Sequence, residues 1–268
     1  MTQPPRTNLV ILRAGNHSLH REWLAGAHRN FDIFVSYYGQ EPDLHRNGAD
    51  YYEMRPGPKW PCLGDLLAQH AALIEQYEAF WFPDDDLAAN TETINRMFSI
   101  FHGFNLALAQ PALTRDSFYS WDVLLQRPGY VLRYLLFVEI MAPIFTRASL
   151  RACLHTFTES RSGWGLDFVW PELLPPAHQQ AIAVLDATPV RHTRPVGGEL
   201  YRNHPDMKPC QEAEAVVQRY QAQVRKATAG YGFSHGVAEV KPGWVEQIRT
   251  SVQRWNALRR MRRRLQQT

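Results

Sequence analysis

NLVILRAGNHSLHREWLAGAHRNFDIFVSYYG, residues 8–39, decides how this chain folds. An unbroken apolar run, NLVILRAG, stops at a glycine; a stretch of helical composition follows; then a second apolar and aromatic run, FDIFVSYYG, appears. Runs of this kind read as buried strands, and two of them joined through a helix make a βαβ unit.

Outward from that unit the alternation continues. ADYYEM is a short third strand, and RPGPKWP punctuates the chain before the helical CLGDLLAQHAALIEQY. AFWF is a fourth strand, TETINRMFSIFHGF a helix, LALAQPAL a fifth strand and FVEIMAPIFT a sixth. RASLRACLHTFTES is helical, GWGLDFVWPELL is a short helix opened by glycines, and AIAVLDATPV is a last strand leading into the loop RHTRPVGG. This pattern predicts an α/β domain with a mainly parallel central sheet, in which ligands bind beyond the carboxyl ends of the strands.

The bulk properties agree with one generous globular domain. The chain has 268 residues and 30.9 kDa, 45% hydrophobic and 21% charged, enough for a sizeable core. No apolar run reaches the ~20 residues that span a bilayer, and the opening is a poor secretory signal, so a cytoplasmic location is expected. Cys62, Cys153 and Cys210 are far apart and odd in number, which fits reduced thiols. The net charge of +3 is concentrated in RWNALRRMRRRLQQT, with six arginines and no acid. Trp244, Ile248, Val252, Trp255, Leu258, Met261 and Leu265 recur at helical spacing there, predicting a basic amphipathic helix that either meets an anionic membrane surface or packs on the body. The expected division is a catalytic domain over residues 1–205 and a helical extension over 206–268.

The fourth strand runs directly into three acids, in EAFWFPDDDLAAN (78–90). Adjacent carboxylates repel one another, and fixing them costs energy unless a cation, a helix N-terminus or water compensates. The plainest account is a solvated turn in which one carboxylate caps the next helix. Position argues for more: at the emitting end of a buried strand, alternate residues aim Asp84 and Asp86 at one point while Asp85 turns away. Oxygen ligands there suit Mg²⁺ or Mn²⁺ bound together with a substrate's phosphates.

FWFPDDDL resembles the DxD element of GT-A glycosyltransferases, which hold a nucleoside diphosphate sugar through a divalent ion. VEIMAPIFTRASLRAC followed by GWGLD resembles the glycosyltransferase-like family known as domain of unknown function 707, in which V-E-M-M-A-P-x-F-S-R precedes W-G-L-D. Ile140 replaces the first Met and Thr146 the Ser. With PDDDL, QPAL and VRHTRP, the resemblance covers about residues 80–200. It implies a GT-A fold and a donor that is a nucleoside diphosphate sugar, UDP-sugars first among them. The acceptor is a carbohydrate or lipid-linked hydroxyl, and no nucleic-acid partner is expected.

By that resemblance Asp86 makes the stronger metal contact, beside Asp84, and His192 in the loop VRHTRP is a further ligand. Arg191 and Arg194 flank it as natural clamps for a diphosphate. Lys59 and Asp65 fall near the nucleotide, Lys59 as a charge for phosphate and Asp65 as an acceptor for ribose or base. Gly15, ending the first strand, lets the base or ribose approach the backbone. Spaced glycines of a dinucleotide fingerprint are missing, which disfavours NAD. Trp164 and Gly165 form a sugar platform at a helix start. Asp167, at the head of that helix, matches the base of inverting enzymes, with an ordinary pKa near ~4 expected. Glu139, a carboxylate among apolar neighbours, needs a partner, either a sugar hydroxyl or Arg133. Two other functions share these residues: a non-catalytic carbohydrate-binding protein, and a metal-dependent phosphotransfer or nucleotidyl enzyme.

Overall fold

The computed structural model describes residues 5–26, 28–197, 206–222 and 235–238. The elements are β1 (Asn8–Ala14), α1 (His20–Trp23), β2 (Phe31–Tyr37), β3 (Tyr51–Met54), α2 (Lys59–Gln69), α3 (Ala72–Gln76), β4 (Ala79–Trp81), β5 (Leu87–Ala88), α4 (Thr91–Gly103) and β6 (Leu108–Leu113). They continue as β7 (Tyr130–Tyr134), β8 (Ile144–Thr146), α5 (Arg147–Cys153), α6 (Leu166–Leu173), α7 (Pro176–Gln179), β9 (Ile182–His192), α8 (Pro209–Tyr220) and β10 (His235–Ala238). The described residues up to Val237 form one compact unit. The expected amphipathic C-terminal helix lies outside the described residues. Among those described, no helix is long and apolar enough to cross a membrane.

The α/β architecture expected from the sequence is the one observed. Along the sheet the strands run β10-β7-β9-β6-β8-β4-β1-β2-β3, with β5 pairing β9. β4, β1, β2 and β3 are mutually parallel, as are β6 and β9, whereas β8 lies antiparallel between β4 and β6. All seven residues of β1 are buried. Its side chains divide between the two faces: Leu9 and Ile11 join Leu63 and Leu66 of α2 and Trp170 of α6, while Val10 and Leu12 join Ile94, Met97 and Phe98 of α4. Helices therefore cover both faces, and this is why the parallel strands read as continuous apolar runs.

Several expectations need correction. The first crossover contains only the short α1, and the expected helix over 62–77 is split between α2 and α3. FVEIMAP is not a strand; pairing begins only at Ile144. Its backbone instead serves the acidic segment, since Phe82 N donates to the Pro143 carbonyl (3.0 Å) and Asp84 N to Met141 (2.8 Å). β7 fills the stretch read as a polar excursion, and it is held by Arg133. That guanidinium is fully buried and pairs with Asp186 (Nε to Oδ2 2.8 Å), which is why it is not the partner expected for Glu139.

Candidate active site

The carboxyl ends of β1, β2 and β4 point the same way, and the chain leaves β4 through Pro83 into Asp84–Asp86. Asp84 and Asp86 face one side while Asp85 turns back: Gly15 N donates to Asp85 Oδ2 (2.7 Å) and Arg194 Nη1 to Asp85 Oδ1 (3.3 Å). The capping role falls to Asn90, whose side chain accepts from Thr93 N at the start of α4 (2.8 Å). That removes the turn-and-cap account of the triplet.

His192 arrives through β5, whose Leu87 pairs with His192 and Ala88 with Arg191. This short antiparallel ladder sets the last residue of β9 beside Asp86, with His192 Nε2 at 3.3 Å from Asp86 Oδ2. His192 thus belongs to the strand and not to the following loop. Strand alternation turns Arg191 outward, where it is exposed and pairs with Asp116 (3.4 Å). The Phe118 carbonyl lies 2.8 Å from His192 Nδ1, orienting the ring. Burial works against a charge on His192, but Asp86, the Phe118 carbonyl and Asp84 outweigh it and push its pKa up to about 9.

One ligand atom each from Asp84, Asp86 and His192 lies within 4.8 Å of the others. Asp86 Oδ1 is buried and has no hydrogen-bond partner among the described residues. Two carboxylates, an imidazole and an unsatisfied oxygen fit a divalent cation.

The cluster opens on a cavity of about 720 Å³ that also receives Lys59, Glu139, Trp164, Gly165, Asp167 and Arg194. Asp65 is exposed on α2 and stands outside the lining. Gly15 is also outside it: a Cβ there would lie 2.4 Å from the Tyr38 hydroxyl, so the close approach that requires glycine is made by Tyr38. Glu139 Oε2 is buried without a hydrogen-bond partner among the described residues, and burial together with nearby Asp84 pushes its pKa up to about 7. Asp167 is enclosed at the first turn of α6. Its burial and the neighbouring Glu139 push its pKa up to about 8, overturning the ordinary value expected.

Trp164 and Gly165 stand at the mouth of α6, which α8 buttresses. Glu212 of α8 accepts from Ser162 N (2.7 Å) and the Ser162 hydroxyl (2.9 Å), pinning the loop that carries Trp164. Gly165 has φ +93°, and a Cβ there would meet Ala213 Cα at 2.8 Å. Gly165→Ala is therefore expected to lose roughly 1–3 kcal/mol, from the left-handed backbone and the contact together. Urea denaturation checks this; an unchanged midpoint would show that α8 yields freely.

The mixed α/β sheet thus carries paired carboxylates and a histidine at the edge of its parallel strands. The sequence adds its own signature: residues 134–230 match the family described as "Protein of unknown function (DUF707)". That match includes the VEIMAPIFTR and GWGLD blocks and begins downstream of the acidic triplet. No curated protein matches the chain. Among solved structures it is similar to S. aureus TarS, with a TM-score of 0.44 and 11% identity over 80% of this chain and 43% of that one. It therefore spans less than half of that TarS chain. TarS 1-349 gives a TM-score of 0.48 and 11% identity over 79% of this chain and 69% of that one. Glucosyl-3-phosphoglycerate synthase from Mycobacterium tuberculosis, in complex with Mn²⁺, uridine-diphosphate-glucose and phosphoglyceric acid, gives 0.48 and 16% over 88% of both chains.

Proposed function

We propose that this protein is a metal-dependent glycosyltransferase that moves a sugar from a nucleoside diphosphate sugar, a UDP-sugar in the first instance, to an acceptor hydroxyl with inversion. The observation that carries this reading is one cavity holding two kinds of carboxylate. Asp84 and Asp86 sit with His192 at one side, and Asp167 and Glu139 are enclosed in the same space.

Asp84, Asp86 and His192 would hold Mn²⁺ or Mg²⁺, which when bound supplies charge neutralisation for a diphosphate leaving group. Lys59 and Arg194 line the same cavity and add positive charge toward phosphate. Asp167 in its ionised form, whose share grows as pH rises toward about 8, is the base that takes the proton of the attacking hydroxyl, and Glu139 binds a sugar hydroxyl with its unsatisfied oxygen. Trp164, 37% exposed on the cavity wall, offers an aromatic face to a carbohydrate acceptor, free or lipid-linked. Arg191 and Asp65 have no part in this account because both point away from the cavity. The expected cytoplasmic setting, with a C-terminal contact to an anionic membrane, belongs to the same proposal.

The test is a thermal-shift screen of nucleoside diphosphate sugars with and without Mn²⁺, followed by assay of nucleotide release and product configuration. At about a hundredfold excess over Kd, a true donor is expected to raise Tm by roughly 5 °C or more, and only with the metal. No shift and no release with any donor would reject the reading. A retained anomeric configuration would reject inversion.

A further inference from the structure

Lys59 is the first residue of α2, and all three protons of its ammonium are engaged. Nζ lies 2.6 Å from Asp84 Oδ1, 2.9 Å from the Ile140 carbonyl and 3.1 Å from that of Met141. A lysine has three donors, so this set saturates it. Its side chain is 16% exposed and that of Asp84 is 38%, both opening on the cavity. The two acids of the cluster are therefore not equivalent. Asp84 already has a full positive charge against one oxygen, whereas Asp86 keeps a buried oxygen with no hydrogen-bond partner among the described residues.

We infer that Lys59 is an internal counter-ion which neutralises Asp84 in the free protein, disfavours a divalent cation bound alone, and couples cation binding to diphosphate binding. The inference rests on the metal-diphosphate reading above. A cation held by Asp84, Asp86 and His192 would share Asp84 with the ammonium, and like charges at that range oppose one another. A diphosphate reverses the sign, because its anionic oxygens attract both cations. Lys59 then has a second acceptor to turn to as Asp84 passes to the ion. Each ligand thereby improves the site for the other, and the coupling is reciprocal by linkage. The carbonyls of Ile140 and Met141 keep the ammonium tethered at the cavity wall throughout. This gives VEIMAP a use beyond contributing Glu139: its irregular backbone, unpaired in any sheet, presents the two carbonyls that aim Lys59.

The experiment is calorimetric titration of the full chain with Mn²⁺ alone, with UDP alone, and with UDP in the presence of Mn²⁺, running GDP in parallel. The parent is compared with Lys59→Met, Lys59→Gln and Lys59→Arg. Lys59→Met is expected to bind Mn²⁺ alone at least about tenfold more tightly than the parent, and to lose most of the Mn²⁺–UDP coupling. Lys59→Gln, which keeps an amide donor for the carbonyls, is expected to behave the same way should the Met variant fold poorly. Lys59→Arg is expected to retain weak Mn²⁺ binding. If the parent binds UDP with Mn²⁺ but the neutral variants bind Mn²⁺ alone no more tightly than it does, the counter-ion inference is overturned and the metal-diphosphate reading stands. If the parent binds Mn²⁺ neither alone nor with either nucleotide, both fall together.

Discussion

Asp167→Asn is expected to lower kcat by roughly a hundredfold or more, the usual scale for a general base, while leaving donor affinity nearly unchanged. It is also expected to make the metal-free protein more stable at alkaline pH. The two effects have one cause. Enclosure beside Glu139 pushes the Asp167 pKa up to about 8, against an ordinary aspartate value of about 4 in the unfolded chain. Because the folded value is the raised one, its contribution to stability is fully present below about pH 4 and is lost progressively as pH rises to about 8. Over that window the unfolded chain gives up a proton that the folded chain retains, at a cost of up to several kcal/mol on the ~1.4 kcal/mol per pH unit scale. Asparagine has no proton to lose, and its Oδ1 can still accept from Phe168 N as Asp167 does at 3.1 Å. Thermal melts of the metal-free pair should therefore separate at pH 8 and converge toward pH 4. Glu139→Gln is the control, expected to weaken substrate binding more than turnover. Normal turnover by Asp167→Asn with a dead Glu139→Gln would remove the base assignment. A stability gap that does not change with pH would show that Asp167 ionises normally.

The parts of the fold that the sequence made legible are those where local pattern and burial coincide. β1, β2, β4, α4 and most of β6 and β9 are apolar runs or helical repeats with clear breaks, and they stand where they were expected. FVEIMAP misled because its composition is that of a strand, although its backbone hydrogen bonds go to Phe82 and Asp84 and not to a sheet neighbour. Apolar composition reports burial, and burial does not distinguish a strand from a packed irregular segment. Within the site, the alternation of Asp84, Asp85 and Asp86 was readable from strand periodicity alone. The meeting of Asp86 with His192 was expected only through the family resemblance, because it depends on a two-residue strand, β5, that has no sequence signal. Arg191 was expected beside His192 as a diphosphate clamp, and strand alternation turns it outward to Asp116 instead. Neither the Lys59–Asp84 pair nor Glu212 under the Ser162 loop carries any local mark, since each joins distant positions that only the fold brings together.

Asp86→Ala is expected to cost about a hundredfold or more in Mn²⁺-dependent binding of UDP, and more than Asp84→Ala costs. Groups that merely support a metal ligand already affect affinity by about 10–100-fold, so loss of a direct ligand starts from the top of that range. The order of the two follows from their neighbours. Asp86 has a buried oxygen without a hydrogen-bond partner among the described residues and a second 3.3 Å from His192, so its loss removes a ligand and the anchor of another. Asp84 shares its charge with Lys59 at 2.6 Å, and its removal leaves that ammonium still tied to two carbonyls beside the phosphate position. Stability should move little for Asp86→Ala, because the three acids repel one another without a cation, and relief of that repulsion offsets the lost contact to His192. Calorimetry with Mn²⁺ and UDP, with melting curves on the same samples, measures both quantities. Parental affinity in Asp86→Ala would show that the triplet binds no ion, since capping of α4 is already supplied by Asn90. An equal loss in both variants would show instead that Lys59 does not distinguish the two carboxylates, and the asymmetry between them would have to be given up.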